Sequence, residues 1–175
     1  MRRILVIGNA GSGKTSVAQM LASHKDLPYI GLDSIVWKPR WEMTPKLERK
    51  LKESALADTP SWVVDGVSSI FLEAADTVVF LDYKRSACLL RALRRNARYL
   101  FRSRPGLPAR CPEISILPTL LKIIWQFPSR ARPKILKFRN RDDKTFVHIR
   151  NNTELSLFLR SVGATWLNKA HGPAS

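Results

Sequence analysis

Near the amino terminus, Gly8-Asn9-Ala10-Gly11-Ser12-Gly13-Lys14-Thr15 satisfies G-x-x-x-x-G-K-[ST] at every fixed position. These residue types suit a polyphosphate. Glycines let successive backbone N–H groups converge on phosphate oxygens with no Cβ in the way, and the start of a helix adds its partial positive charge. Lys14 is placed to reach the β- and γ-phosphates and the Thr15 hydroxyl to ligate Mg²⁺, with Ser16 continuing the binding segment. ATP with Mg²⁺ is therefore the expected ligand pair. The context is the required one: an apolar run from Arg3 to Ile7 ends at Gly8, and Lys14 to Ala22 carries Val17, Met20 and Leu21 at helical spacing.

A Mg²⁺ that bridges two phosphates also needs a carboxylate at the end of a neighbouring strand. Asp65 and Asp82 both end apolar runs. Asp65, followed by Gly66, is the expected metal residue, while Asp82 is expected to cap or pair with an arginine-bearing helix. Phosphoryl transfer needs an acceptor as well. Asp33 follows the second apolar run and so falls at the carboxyl edge of a sheet, where it could orient an acceptor hydroxyl or take its proton. Trp37 and Trp41, four and eight positions on, could wall an acceptor pocket. Arg91, Arg94, Arg95 and Arg98 fall at i, i+3, i+4 and i+7 and form a stripe. Guanidinium groups there would stabilise charge on the transferring phosphoryl oxygens or stack on a base.

These residues need a frame that brings them to one edge. After the first strand and helix, a short strand is expected over 27–32 with Pro28 at its start. Thr44 as cap and Pro45 as first helical residue begin a helix over Lys46 to Ala57. Trp62-Val63-Val64 and Thr77 to Leu81 read as further strands, separated by a short helical piece over 70–75. The longest helical pattern covers 86–101, with Leu90, Leu93, Ala97, Leu100 and Phe101 on one face and the arginines on the other. Past it, Pro105, Gly106, Pro108 and Pro112 rule out a continuing helix. Helices are expected over 114–127 and 131–138, broken near Pro128 and Pro133, then a strand over 146–149 and a helix over 153–162 stopped by Gly163. Continuously apolar strands alternating with helices imply α/β architecture, a parallel sheet covered on both faces. The chain reads as one domain over 1–170, with 102–141 a basic lid or helical insertion that closes to expel water.

Composition narrows the remaining classes. With 45% hydrophobic residues the chain is no disordered basic tail, and no run of 18 apolar residues could span a membrane. Two cysteines 23 positions apart and three histidines argue against a zinc site and for a reduced, cytoplasmic setting. Charge is uneven. From Lys84 to Arg141 there are 16 Lys or Arg and one acid, Glu113, a net +15; the rest has 14 basic and 13 acidic residues, a net +1. Such a one-sided segment should face a polyanion: nucleotide phosphates, nucleic acid or acidic lipid.

The phosphate loop, Leu32-Asp33 with Trp37 and Trp41, Trp62 to Gly66, Ala75 to Asp82, the Arg91/Arg95 pair and Cys111-Pro112-Glu113 together resemble the topology modulation proteins (FlaR-related), small P-loop proteins similar to adenylate and shikimate kinases. The resemblance spans roughly residues 3 to 160. It implies a P-loop NTPase fold of the nucleoside- and nucleotide-kinase type: three layers, a five-stranded parallel sheet with central first strand and helices on both faces, and an Arg-rich lid. By that resemblance Arg91 would lie over the adenine and Arg95 would contact the phosphates. The implied activity is an adenylate-kinase-like phosphotransferase moving the γ-phosphoryl of ATP to a small acceptor, a nucleotide or nucleoside among the candidates. Adenylate kinases follow the aspartate-glycine pair with Phe-Pro-Arg, whereas Val67-Ser68-Ser69 stands here. That departure speaks against a nucleoside monophosphate. The rival expectation takes the family name literally: a DNA-binding protein, using the basic 84–141 segment, whose phosphate loop is a switch or a relic.

Overall fold

A computed structural model describes residues 1–99 and 110–164. Five strands form one parallel sheet: β1 (Arg3–Gly8), β2 (Tyr29–Gly31), β5 (Trp62–Asp65), β6 (Thr77–Leu81) and β7 (Thr145–Ile149), in the spatial order β2-β5-β1-β6-β7. The first strand is central. Its neighbours pair Arg3 with Trp62 and Gly8 with Leu81, which sets the carboxyl ends of β1, β5 and β6 side by side.

Both faces of these strands are buried, which is why they read as unbroken apolar runs. Ile4, Val6, Val63, Val79 and Leu81 meet Val17 and Leu21 of α1 (Lys14–Lys25) and Leu155 and Leu159 of α8 (Asn152–Ser161) on one face. Leu5, Ile7, Trp62, Val64, Val78 and Phe80 meet α3 (Lys46–Ala57), α4 (Ser69–Ala74), α6 (Glu113–Arg130) and α7 (Arg132–Leu136) on the other, through Ala57, Phe71, Phe127 and Ile135. Alternate residues of each strand thus serve opposite layers.

Several expectations are corrected. The second strand is only Tyr29–Gly31, because Leu32 already begins the five-residue helix α2 (Leu32–Val36). Pro45 itself is the cap residue of α3, and Thr44 caps nothing with its side chain; its amide instead donates to the Val36 carbonyl. A two-stranded hairpin, β3 (Trp37–Lys38) and β4 (Glu42–Met43), joined by a 3-10 turn at Pro39–Trp41, was not anticipated.

The arginine-bearing helix, α5 (Arg85–Arg98), turns a different face inward. Cys88, Ala92 and Asn96 are buried, while Leu90 and Leu93 are exposed. Small residues face in because another backbone lies close: a Cβ built on Gly11 would come to 2.1 Å from the Cys88 carbonyl oxygen. Leu100, Phe101 and the interrupted stretch up to residue 109 lie outside the described residues. Helix α6 runs through both Pro118 and Pro128 instead of breaking at the latter. A proline at 128 removes the donor that would serve the carbonyl four residues back. That carbonyl, of Ile124, accepts from Asn9 Nδ2 at 3.0 Å instead, so the helix continues with its hydrogen bonding supplied by the phosphate loop. The break comes at Ala131, with Pro133 in the first turn of α7.

Candidate active site

The phosphate loop connects the end of β1 to α1 along the carboxyl edge of the sheet. Gly11 and Gly13 have φ of 80° and 91°, a region open to glycine at little cost. Nothing lies within 4 Å of a Cβ built on Gly13, so space opens above the start of the helix. Val17 donates to the Gly13 carbonyl, which leaves the amides of Lys14, Thr15 and Ser16 ahead of the first helical bond, and Gly13 supplies no side-chain cap. Asn9 braces the loop from within: its side chain accepts from the Ala10 amide at 2.8 Å and donates to Ile124. The buried Ser12 hydroxyl has no hydrogen-bond partner among the described residues. An anion is what this arrangement of donors fits.

Parallel pairing places Asp65 beside Val6, and its carboxylate faces the loop. Thr15 Oγ1 donates to Asp65 Oδ2 at 2.5 Å and Tyr29 Oη to Oδ1 at 3.0 Å. Burial pushes the Asp65 carboxyl above its ordinary range; the Thr15 hydrogen bond and the Lys14 charge pull it back, and Asp33 adds to the rise. A buried carboxylate and a threonine hydroxyl in contact are oxygen donors of the kind a hard divalent cation takes. No cluster of three or more His, Cys, Asp or Glu that could hold a metal ion exists among the described residues.

Beside the loop lies a cavity of about 430 Å³, lined by Ser12, Gly13, Ser16, Tyr83, Arg91 and Asn152 among others. The Arg91 guanidinium lies 4.4 Å from the centre of the Tyr83 ring. Asn152 Oδ1 accepts from Arg91 Nη2 at 3.1 Å and from Tyr83 Oη at 3.0 Å. Burial raises the Tyr83 phenol, keeping it a neutral donor. So the structure brings Gly13, Lys14, Thr15, Ser16, Asp65 and Arg91 to one edge. Arg95, one turn on, is half-buried and does not line this cavity. Asp33 is exposed in the first turn of α2, near enough to act on Asp65.

Asp82 is engaged elsewhere. Its carboxylate accepts from Arg132 Nε at 2.9 and 3.0 Å and lies 2.9 Å from His148 Nε2, so among the described residues its partners are on α7 and β7 and not on the arginine helix. Trp37 and Trp41 pack edge-to-face with centroids 5.3 Å apart, and Trp41 Nε1 donates to the Pro112 carbonyl at 2.9 Å. Next to them Lys38, Pro39, Arg40, Glu42 and Arg110 line an open groove of about 480 Å³. Arg40, Trp41 and Arg110 all have φ near +60°, a costly conformation for such residues that clusters at this groove.

Tyr29, Tyr83 and Asn152 were missed in the sequence. The signal for Asn152 was faint but present: two asparagines open the last helix, Asn151 caps it by accepting from the Glu154 amide, and the second remains for the cavity.

No protein-family profile and no curated protein sequence matches the chain. Solved structures do. A shikimate kinase from Bacteroides thetaiotaomicron superposes with a TM-score of 0.55 at 16% identity, over 93% of this chain and 98% of that one. The fold is that of the P-loop kinases. Shikimate kinase from Acinetobacter baumannii in complex with shikimate gives a TM-score of 0.50 at 17% identity, over 98% and 96%. Deoxyadenosine kinase from M. mycoides with bound dATP gives 0.51 at 12%, over 94% and 100%. Among the described residues, no helix is long and apolar enough to cross a membrane.

Proposed function

We propose that the chain is an ATP-dependent phosphotransferase that delivers the γ-phosphoryl group to a small hydroxylated acceptor. The observation that carries this is the meeting of Thr15 and Asp65 directly beneath an uncapped, glycine-flanked helix start. In this reading the loop amides and Lys14 hold the phosphates, while Arg91, seated on Tyr83, offers its outer face to the adenine. Thr15 and Asp65 would hold Mg²⁺, which when bound neutralises charge on the phosphate oxygens. Arg95, one turn on in the same helix, would have to turn from its half-buried position to meet phosphate, the role that the resemblance implies for it. Kinase neighbours of the same fold support the reading.

In the transfer step an acceptor oxygen forms the new bond to γ-phosphorus as the bond to the leaving β-phosphate oxygen breaks. Asp33 takes the hydroxyl proton. An acceptor bearing a phosphate or carboxylate fits the groove beside Arg40 and Arg110. Ser68, where adenylate kinases would continue toward their phosphate-binding arginine, caps α4 and donates to the Glu53 carboxylate at 2.6 Å, so it has a structural task. In this reading the chain is a relative of the topology modulation proteins, which its motifs resemble. A single domain spans 1–170 in this reading. The closing part of the 102–141 insertion excludes α7 and the end of α6, whose Ile135 and Phe127 belong to the core.

A screen of nucleosides, nucleotides and small hydroxy acids, read as ADP release, tests the reading. One class should raise turnover, and Lys14→Ala should lower that turnover about 100-fold or more. No ATP or GTP binding by calorimetry in the presence of Mg²⁺ would refute it.

A further inference from the structure

We propose that α6, together with the start of α5, forms a docking face for an anionic lipid surface, a role independent of phosphoryl transfer. Ile114, Pro118, Leu121 and Trp125 follow one another at i, i+4, i+7 and i+11, which places them within an arc of roughly 60° along about 16 Å of helix. All four are exposed, Trp125 at 68% and Ile114 at 45%. The buried side of the same helix is a separate stripe, Ile124 and Phe127 with Leu120 partly covered, and the exposed stripe belongs to none of the core clusters among the described residues. Helix α6 is therefore apolar beyond the side that folding uses, the exposed Ile123 standing apart on the far side from the stripe.

Charge decides among the surfaces that could cover the other. The Arg85 guanidinium lies 4.3 Å over the Trp125 ring, and Lys122 sits exposed beside Leu121. Both belong to the 84–141 segment with its net +15. A second copy docking here would bring two such segments together and repel. A nucleic acid would gain from the cations and Trp125 but would find no partner for Ile114, Pro118 and Leu121. An anionic bilayer satisfies both: its headgroups meet the Lys and Arg, and its interface receives the aliphatic and indole groups. Docking leaves the nucleotide cavity open, because Leu120 and Ile124 already face α5 and Arg91 lines the cavity on the loop side of that helix.

Co-sedimentation of the full chain with vesicles of equimolar phosphatidylcholine and phosphatidylglycerol tests this, with pure phosphatidylcholine vesicles alongside. Binding is expected to the first and not the second, with a blue shift of tryptophan emission and quenching by brominated acyl chains. The double variant Leu121→Glu, Trp125→Glu should weaken vesicle binding about tenfold or more while keeping its circular dichroism and ATP affinity. Trp125→Phe should retain binding and lose most of the bromine quench; if the double variant fails to fold, this pair of measurements decides alone. The proposal is overturned by failure to bind anionic vesicles, or by equal binding of the double variant. It is equally overturned if that variant instead abolishes binding to an oligonucleotide, or a concentration-dependent dimer, in protein that ignores lipid.

Discussion

Gly11 of the phosphate loop rests against the backbone of α5 at Cys88, with room for a hydrogen and not for a methyl group. The loop's shape is therefore dictated from outside as well as by its own glycines. Gly11→Ala would demand a φ of 80° from alanine, a cost of roughly 1–2 kcal/mol, and would push the loop off Cys88. Gly13→Ala carries the same backbone penalty at 91° but meets open space. We expect Gly11→Ala to lower the melting temperature more than Gly13→Ala does, measured by calorimetry without nucleotide.

The raised Asp65 carboxyl gives a pH dependence of known sign. Because burial raises its folded value above the unfolded one, the fold binds the proton more tightly than the unfolded chain. Stability is then highest below the unfolded value and falls as pH rises through the window up to the folded one. Mg²⁺ needs the ionised form, so nucleotide affinity in Mg²⁺ should rise through that same window, with proton release on binding. Asp65→Asn should flatten both profiles, abolish the Mg²⁺ contribution to ATP affinity and leave stability at neutral pH unchanged or higher. Calorimetric titrations in buffers of different ionisation enthalpy read the proton directly. Asp82→Asn is the contrast: it loosens Arg132 and His148, lowering stability by about 1 kcal/mol, and leaves Mg²⁺ dependence intact.

Arg91 is held flat by Tyr83 on one side and Asn152 at its edge. Arg91→Ala should weaken ATP binding about tenfold and Arg91→Lys should restore little, since a point charge cannot stack on a base as a planar guanidinium does. Inorganic triphosphate, having no base, should be far less sensitive to the same pair. Fluorescent-nucleotide displacement separates the two ligands.

An anionic acceptor in the hairpin groove makes Arg40 a specificity residue. With a responsive acceptor in hand, Arg40→Ala should raise its KM about tenfold and leave the ATP dissociation constant unchanged, by steady-state kinetics and calorimetry respectively.

Much of this site can be read in the sequence because it depends on local rules. Glycines before Lys14-Thr15, and an aspartate closing an apolar strand, place themselves once the sheet is parallel. What escaped detection depends on distant backbone. The α5 leucines looked like the inward face, but the helix lies so near Gly11 that only Cys88 and Ala92 fit there. The hairpin at Trp37 is too short for any periodicity to reveal. Pro128 looked like a stop, and no local pattern could show that a side chain 119 positions earlier takes up the carbonyl it leaves over.

That borrowed carbonyl is contested ground. Pro128→Ala would return an N–H to helix α6 and set it competing with Asn9 for Ile124. A change that mends a helix would thereby slacken the phosphate loop, so the variant should resist heat at least as well as its parent and, on the proposed function, hold ATP less firmly. Here an irregularity in one element is what steadies another.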